Sequence, residues 1–589
     1  MKLRNVLSVI LAVMLLSALV AGAQADEGPA ILENAVVTPL QIGENQVLVY
    51  YPQPNATDNL GLSTTCTAPA FLVFGESSFD AESADAFAKE SGLAGIAAKE
   101  GSSICFVNPT AENWSEADAP VYEMIVSAIN DSSTNDVSNG ISTGFDFMSG
   151  QPKSGIMATA QRIYVYGVDA GADFVAAHII RPVVSSVTYP DGFTMTFDRS
   201  ATSVTVSGLT DVSLIEANDL PVVSIGNSDE INNALEAACG ILLVEEQADY
   251  EAEYAALAGQ FRRQAGVLVP VYDWAAEGIK EVIATYEVAT SPDNGSAFAG
   301  SETHPVGCAI YYADDLDVTE TKVPLVFCFH GGGNTALYEA QATEWPLIGK
   351  EHGFITVSVD LHHPNVTATE LIDLLEQLKK EYDIDETKIY ASGFSMGGCK
   401  SWDLFEQYPQ VFAGLAPMDA TNDPGIDSYD NSVENMNQDL LTPVFYVGGV
   451  DSPLPEMPFQ APKCLNRVAY VFDVNKVSTE YNVTMEGIAD WANPIWGISG
   501  DLTYEVTDQK AFLDSTLEVN LFASEDGKYY TAFTDATNQS HEVYARNSWA
   551  AWDFLSQFSR NTDGSISIAD VSYTLASDDG SITDNSYNR

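Results

Sequence analysis

Apolar runs of strand length alternate with amphipathic stretches of helical period through the second half of the chain. Pro324 to Phe329 is apolar throughout and runs into a glycine-rich stretch, His330-Gly331-Gly332-Gly333-Asn334. Such an unbroken run fits a strand buried on both faces. Thr367-Ala368-Thr369-Glu370 has the form of a helix capping box, and Leu371, Leu374, Leu375 and Leu378 then fall on one helical face. A β-type run, Lys388 to Ser392, meets a second glycine-rich turn, Gly393-Phe394-Ser395-Met396-Gly397-Gly398, and a helical pattern follows from Cys399 to Tyr408. Thr442 to Gly449 is a further strand-and-turn, and Trp549 to Phe558 is amphipathic. This alternation predicts an α/β fold built on a doubly wound, mostly parallel sheet.

The first half repeats the same succession. Arg162-Ile163-Tyr164-Val165-Tyr166-Gly167-Val168-Asp169-Ala170-Gly171 aligns with Lys388 to Gly397 at a single offset of 226 (388−162). Val47–Tyr51 resembles Cys308–Tyr312, Pro69–Gly75 resembles Pro324–His330, Ile104–Val107 resembles Ile355–Ser358, and Leu220–Gly226 with Asp229 resembles the strand leading to Asp451. Five such matches in one order predict two tandem α/β-hydrolase-like sheets, the first degenerate. Asp169 stands in the first half where Ser395 stands in the second, and Gly75-Glu76 replaces His330-Gly331. No histidine lies between His178 and His304, so the C-terminal end of the first half offers no base. An aspartate nucleophile would still need a histidine to activate water, and His178 is expected on the helix after Asp169, pointing elsewhere.

Strand, G-x-S-x-G and helix, in that order, form the context of a nucleophile elbow. The tight turn lifts Ser395 beside a helix N-terminus, where free N–H groups meet a developing oxyanion. A glycine-rich loop after an earlier strand supplies the second oxyanion donor in such folds, which points to the amide of Met396 with one from Gly331 or Gly332. Of the seven histidines only His541 follows Ser395, so it is the candidate base. Asp451, just after the strand ending at Gly449, is the candidate acid, with Asp419, Asp423 and Asp473 nearby and able to take the same role. Nucleophile, acid and base then follow in the order Ser…Asp…His.

The His330–Asn334 loop, the Gly393–Gly398 elbow and the closing His541…Trp549–Leu555…Phe558-Ser559-Arg560 together resemble secreted esterases of the polyhydroxybutyrate-depolymerase and feruloyl/acetylxylan esterase group, over roughly residues 285–565. The resemblance implies ester hydrolysis with Ser395 as nucleophile, His541 as base, Asp451 as its orienter and Met396 with Gly331 or Gly332 as oxyanion hole. It implies no cofactor, and an ester substrate that is either a polysaccharide ester or a hydroxyalkanoate polyester. The stretch between Asp451 and His541 looks longer than in that group, as a lid or a pocket wall would require. A peptidase of the prolyl-oligopeptidase type shares the fold and the order of residues, but no propeller-like repeat region accompanies it here. A noncatalytic binding protein is the third reading, opposed by the intact Ser395, Asp451 and His541. Trp549 and Trp552 could line a pocket, though core packing is the plainer role for both.

Composition narrows the partners. With 83 acidic against 25 basic residues the formal net charge is −58, which excludes the basic footprint that nucleic acids require and disfavours anionic membranes. The cysteines show no metal-site spacing, and their odd number, seven, leaves at least one thiol unpaired within a single chain. Asn561-Thr562-Asp563-Gly564-Ser565-Ile566 has part of a calcium-loop pattern, but Ser559 occupies the first ligand position, and Asp-Gly between β-type residues reads as a hairpin turn; Asp578-Asp579-Gly580 reads the same way. Residues 1–25 have the form of an export signal: Lys2 and Arg4, an apolar Val6–Val20, and a small-residue site at Ala23-Gln24-Ala25. The expected organisation is a signal peptide over 1–25, a degenerate domain over 26–290, a Gly/Ser-rich linker over 291–306, a catalytic domain over 307–565 and a tail over 566–589, the mature protein being secreted.

Overall fold

The computed structural model describes residues 35–584 apart from 52–68, 101, 131–144, 147–150, 153–155, 157–161, 189–193, 219, 258–259, 263–267, 295–298, 332–335, 362–365, 429–430, 453–460, 509–514, 570–573 and 577–581. The expected signal segment, His362, His363, Gly332 and the Asp578–Gly580 turn lie outside the described residues.

Two large sheets organise the chain. The first contains β1 (Val36–Ile42), β2 (Asn45–Tyr51), β3 (Ala70–Phe74), β4 (Ile104–Val107), β5 (Ile163–Val168), β6 (Ser203–Ser207), β7 (Pro221–Ile225) and β8 (Ile241–Glu245) in the spatial order 1-2-4-3-5-6-7-8. The second contains β9 (Ile279–Ala289), β10 (Thr303–Ala313), β11 (Val323–Phe329), β12 (Ile355–Val359), β13 (Ile384–Phe394), β14 (Gly414–Met418), β15 (Val444–Gly449), β16 (Leu502–Asp508), β17 (Ser515–Ala523) and β18 (Tyr529–Ala536), ordered 9-10-12-11-13-14-15-18-17-16. Strand for strand, the first eight positions of both orders agree. In each sheet an antiparallel hairpin opens the edge, its second strand also runs antiparallel to the next, and the strands beyond are parallel. The second sheet continues past β18 with two antiparallel strands, β17 and β16.

Sheet register tests the proposed repeat residue by residue. Phe71 lies opposite both Ile104 and Tyr164, and Val326 lies opposite both Thr356 and Tyr390. The offset of 226 at the elbow strand therefore holds (390−164), but Ile104 corresponds to Thr356 and not to Ile355. The apparent Ile104–Ile355 match slips by one residue, which in a strand exchanges the two faces. Ile104 packs on the opposite side of its sheet from Cys105, and Thr356 is followed in the same way by Val357, the true counterpart of Cys105.

Central strands are buried on both faces, as an apolar run without alternation requires. Leu325, Phe327 and Phe329 of β11 enter one core, Val326 and Cys328 the other. Among the described residues, each half has its own cores: residues from Ala35 to Leu257 form the first pair, and residues from Val271 onward form the rest. Thr367 caps the helix Ala368–Leu378 through a capping box with Glu370, and Leu371, Leu374, Leu375 and Leu378 are fully buried. The same Glu370 carboxylate accepts from Asn294 Nδ2 at 2.8 Å, from the Ser291 amide at 2.8 Å, and pairs with buried His304 at 3.0 Å.

That contact corrects the expected domain boundary. The Gly/Ser-rich segment is no linker between halves. It connects β9 to β10, which pair along their whole length from Ile279↔Ala313 to Ala289↔Thr303. Glycine and serine mark the turn of a long hairpin inside the second unit. The stretch between Asp451 and His541 is also not simply a lid: it carries the helix Ala461–Val474 and the two added edge strands. The Asp563-Gly564 segment is a hairpin turn between Phe558–Arg560 and Ile566–Ile568, with Asp563 Oδ1 accepting from Ser565. None of the described cysteines is paired. No described helix is long and apolar enough to cross a membrane.

Candidate functional site

Ser395 follows β13 directly and precedes the helix Met396–Gln407. Its backbone is held at φ 52° and ψ −117°, and its amide donates to Met418 O at 3.0 Å. Only a glycine fits two residues on: a Cβ on Gly397 would stand 2.1 Å from Phe329 O. The helix therefore starts hard against the end of β11, and the serine side chain projects from the turn.

His541 reaches Ser395 from the loop after β18. Its Nε2 lies 2.9 Å from Ser395 Oγ, and its Nδ1 lies 2.8 Å from Asp419 Oδ2. A carboxylate only accepts, so Nδ1 carries the proton and Nε2 is left free to accept from the serine. Burial opposes a charge on this imidazole. The Asp419 carboxylate, through its charge and its hydrogen bond, and Glu542 to a lesser degree, overcome that and raise the pKa above the ordinary histidine value. Phe394 lies tilted against the imidazole with ring centroids 4.9 Å apart.

The structure corrects the acid. Asp451 is exposed, and its backbone amide is engaged with Gln539 O at 3.0 Å. Asp419 is the carboxylate fully buried against His541. It stands one strand earlier, immediately after β14, at φ 46°. That left-handed bend turns the carboxylate from the strand end toward the histidine, and no pattern in the sequence announces it. Neither of the remaining two aspartates reaches the histidine: Asp423 accepts from Asn466, and Asp473 is exposed on the helix Ala461–Val474.

Met396 is the first residue of its helix, so its amide is one of the N–H groups without an intrahelical acceptor. Gly331 lies beside the elbow: a Cβ there would be 2.9 Å from the Phe394 ring and 3.3 Å from Ser395 Cβ. His330 has a role the sequence did not assign. Its Nε2 accepts from the Leu361 amide at 2.9 Å, so its proton is on Nδ1, which donates to Gly331 O at 2.8 Å. The imidazole thus anchors the start of the glycine loop. Trp552 is core, packed on Phe354 and Tyr390, and Trp549 donates to Glu344 Oε2.

In the first half, Asp169 repeats the elbow backbone at φ 50° and ψ −118°, and its amide donates to Ser207 O at 2.9 Å. Pairing of β5 with β6 and of β13 with β14 equates Ser207 with Met418, hence Gly208 with Asp419. The acid position is a glycine, also at positive φ. His178 lies tilted against Phe174 and faces Glu116. Trp114 packs on Phe74 and Phe174 and donates its indole N–H to Gly75 O. Among the described residues no group of three or more His, Cys, Asp or Glu side chains is placed to hold a metal ion.

An α/β fold with a strand–serine–helix elbow, and a histidine and carboxylate converging on the serine, is the arrangement of the α/β hydrolases. The chain is distantly homologous to ester hydrolases of that fold. It is 27% identical over 136 residues to a bifunctional acetylxylan esterase/xylanase of Neocallimastix patriciarum, covering 22% of this chain and 19% of that protein. It is 28% identical over 116 residues to poly(3-hydroxyalkanoate) depolymerase C of Paucimonas lemoignei, covering 16% and 28%. It is 25% identical over 147 residues to feruloyl esterase B of Thermothelomyces thermophilus, covering 22% and 49%. The chain thus spans less than half the length of each of these relatives. No family model matches it. Among solved structures, an acetyl xylan esterase from Aspergillus awamori aligns with 46% of this chain and 99% of its own at 12% identity and a TM-score of 0.31.

Proposed function

We propose that this protein is an exported serine carboxylic-ester hydrolase with a single site, in the second half of the chain. The observation that carries the reading is the unbroken series Ser395 Oγ–His541–Asp419, at 2.9 and 2.8 Å, on an elbow beside a helix N-terminus. His541 Nε2 takes the proton of Ser395 as the alkoxide attacks the ester carbonyl, while Asp419 holds the tautomer and balances the imidazolium. The oxyanion forms against the amide of Met396 and one from the glycine loop that begins at Gly331. His541 then protonates the leaving alcohol, and water, deprotonated by the same imidazole, releases the acid from the acyl-enzyme. The step needs no cofactor. The distant relatives favour acetyl or feruloyl groups on polysaccharide, or a hydroxyalkanoate polyester, as substrate. The first half is read as a degenerate copy without chemistry of its own: it has Asp169 for the serine, Gly208 for the acid and no histidine for the base.

The test is hydrolysis of p-nitrophenyl acetate and butyrate by the wild-type chain, Ser395→Ala and Asp169→Asn. Activity lost in the first variant and kept in the second supports one serine site. Wild-type activity no higher than that of Ser395→Ala would sink the esterase reading, and hydrolysis of amide but not ester substrates would replace it with a peptidase.

A further inference from the structure

We propose that Ser452 is a positioning residue for the Ser395–His541–Asp419 series, holding the Asp419 carboxylate in line with His541; this rests on the esterase reading above. Ser452 Oγ lies 3.0 Å from Asp419 Oδ2, the same oxygen that accepts from His541 Nδ1–H at 2.8 Å. An ionised carboxylate cannot donate, so the serine hydroxyl does. Its other oxygen, Oδ1, faces the Gly449 amide at 3.4 Å, too far for a strong bond. Among the described residues, the Ser452 hydroxyl is therefore the short second hold on a carboxylate whose other contacts are the base and the long Gly449 bond. Both residues are buried, Ser452 at 4% and Asp419 at 0% exposure, where hydrogen bonds to a charge are strongest.

The hydroxyl is itself held from the histidine side. Residues 449–452 form a turn closed by Ser452 N–H to Gly449 O at 3.1 Å. Val450 N–H donates to Ala536 O at 2.8 Å and Asp451 N–H to Gln539 O at 3.0 Å, so this turn is fastened to the segment that leads to His541. The approach demands a glycine: a Cβ on Gly449 would stand 2.4 Å from Gln539 O and 2.6 Å from Ser540 O. Three strand ends therefore meet at one carboxylate: β14 supplies the acid, β15 the hydroxyl, and β18 the base. The turn that the sequence nominated for the acid supplies the acid's support.

The experiment compares Ser452→Ala, Ser452→Thr and Ser452→Val with wild type and Ser395→Ala. It measures kcat and KM for p-nitrophenyl butyrate across pH, and the low-field proton NMR signal of His541 Nδ1–H. Thr and Val have the same shape, so a difference between them belongs to the hydroxyl. The expected result is a several-fold fall in kcat at little-changed KM in Ala and Val. The acid limb of kcat/KM should move to higher pH, because Asp419, one donor poorer, holds the imidazolium more tightly. The Nδ1–H signal should shift with it, and Thr should retain the wild-type values. Unchanged kcat and acid limb in Val would overturn the proposal. So would a fall in kcat in Val that Thr shares, or one without any shift of limb or proton signal, since either is a packing defect. If Ser395→Ala keeps wild-type hydrolysis, the esterase reading fails and the inference with it. If Ser395→Ala is inert and the Ser452 variants behave as wild type, only the inference fails.

Discussion

Asp169 and Ser395 hold the same backbone conformation, φ 50°, ψ −118° and φ 52°, ψ −117° respectively. The two sites are equivalent in register and both lie against a glycine two residues on, whose Cβ would meet a carbonyl at 2.1 Å. The first half thus has the same strained turn with a carboxylate in place of the hydroxyl. Strain of this kind costs on the order of 1–3 kcal/mol and persists where surrounding packing over-determines it.

Relief of that strain is measurable. Asp169→Gly should stabilise the first half by about 1 kcal/mol, the gain at positive φ exceeding the chain-entropy cost of glycine. Chemical denaturation followed at a first-half probe checks it, and an unchanged or lowered midpoint would count against strain at this turn.

Placing a serine at the first elbow should not by itself create a site. In Asp169→Ser the equivalent of Asp419 is still Gly208, and the described partner of His178 is Glu116. A fluorophosphonate probe should label wild type and Asp169→Ser with one equivalent per chain, and both should lose it on Ser395→Ala. A second equivalent in Asp169→Ser would show that the first half retains a base.

The two carboxylates of the second half should separate sharply. Asp419→Asn removes the charge and offers an amide N–H to Nδ1, which favours the wrong His541 tautomer, and kcat should fall by ~10⁴. Asp451→Asn, exposed and bound only through its backbone amide in the described contacts, should stay within twofold of wild type. Steady-state kinetics on a p-nitrophenyl ester decides it.

The pH profile follows from the same contact. Activity needs neutral His541, and Asp419 raises its pKa against the effect of burial. The acid limb of kcat/KM should therefore lie above pH ~6.5, the ordinary histidine value. Removing the carboxylate charge should bring the limb of the residual activity down. A limb that stays in place in Asp419→Asn would show that another charge governs the imidazole.

A second titration is remote from the serine. Burial, set against a hydrogen bond from Asn493 and reinforced by Glu518, pushes Asp535 up to about 6. A carboxyl raised on folding favours the folded state most below its unfolded value, and that advantage is lost as pH rises from roughly 4 through 6. Asp535→Asn should therefore stabilise the protein at pH 8, by at most about 3 kcal/mol, and bring no such gain at pH 3.5. Thermal unfolding at the two pH values reads the difference directly.

The elbow and the approach of His541 to Ser395 were legible because each leaves a local mark. A strand, a small-residue turn and a helix leave a mark within ten residues, and one histidine after the serine leaves no choice of base. The acid was not, because β14 and β15 both end near an aspartate. What distinguishes Asp419 from Asp451 is a single backbone angle and the direction of one side chain, which residue type does not encode. The repeat was legible in its order but slipped by one at β4, where Ile104 met the nearer isoleucine instead of the residue in register. The Gly/Ser-rich run was read by composition alone. Composition cannot tell a linker from the tip of a long hairpin; the Asn294 and His304 contacts to Glu370 lie about seventy residues apart in the chain.

That hairpin decides where the polypeptide can be divided. A cut at the Gly/Ser-rich run would leave β9 attached to the wrong fragment. It would strip β10 of its partner along eleven residue pairs. A cut before Tyr272 keeps β9, and also the bonds of Tyr272 to Gln341 and Glu344. Expressed alone, the second half beginning at 271 should be recovered folded, while the one beginning at 291 should present a bare strand edge and aggregate.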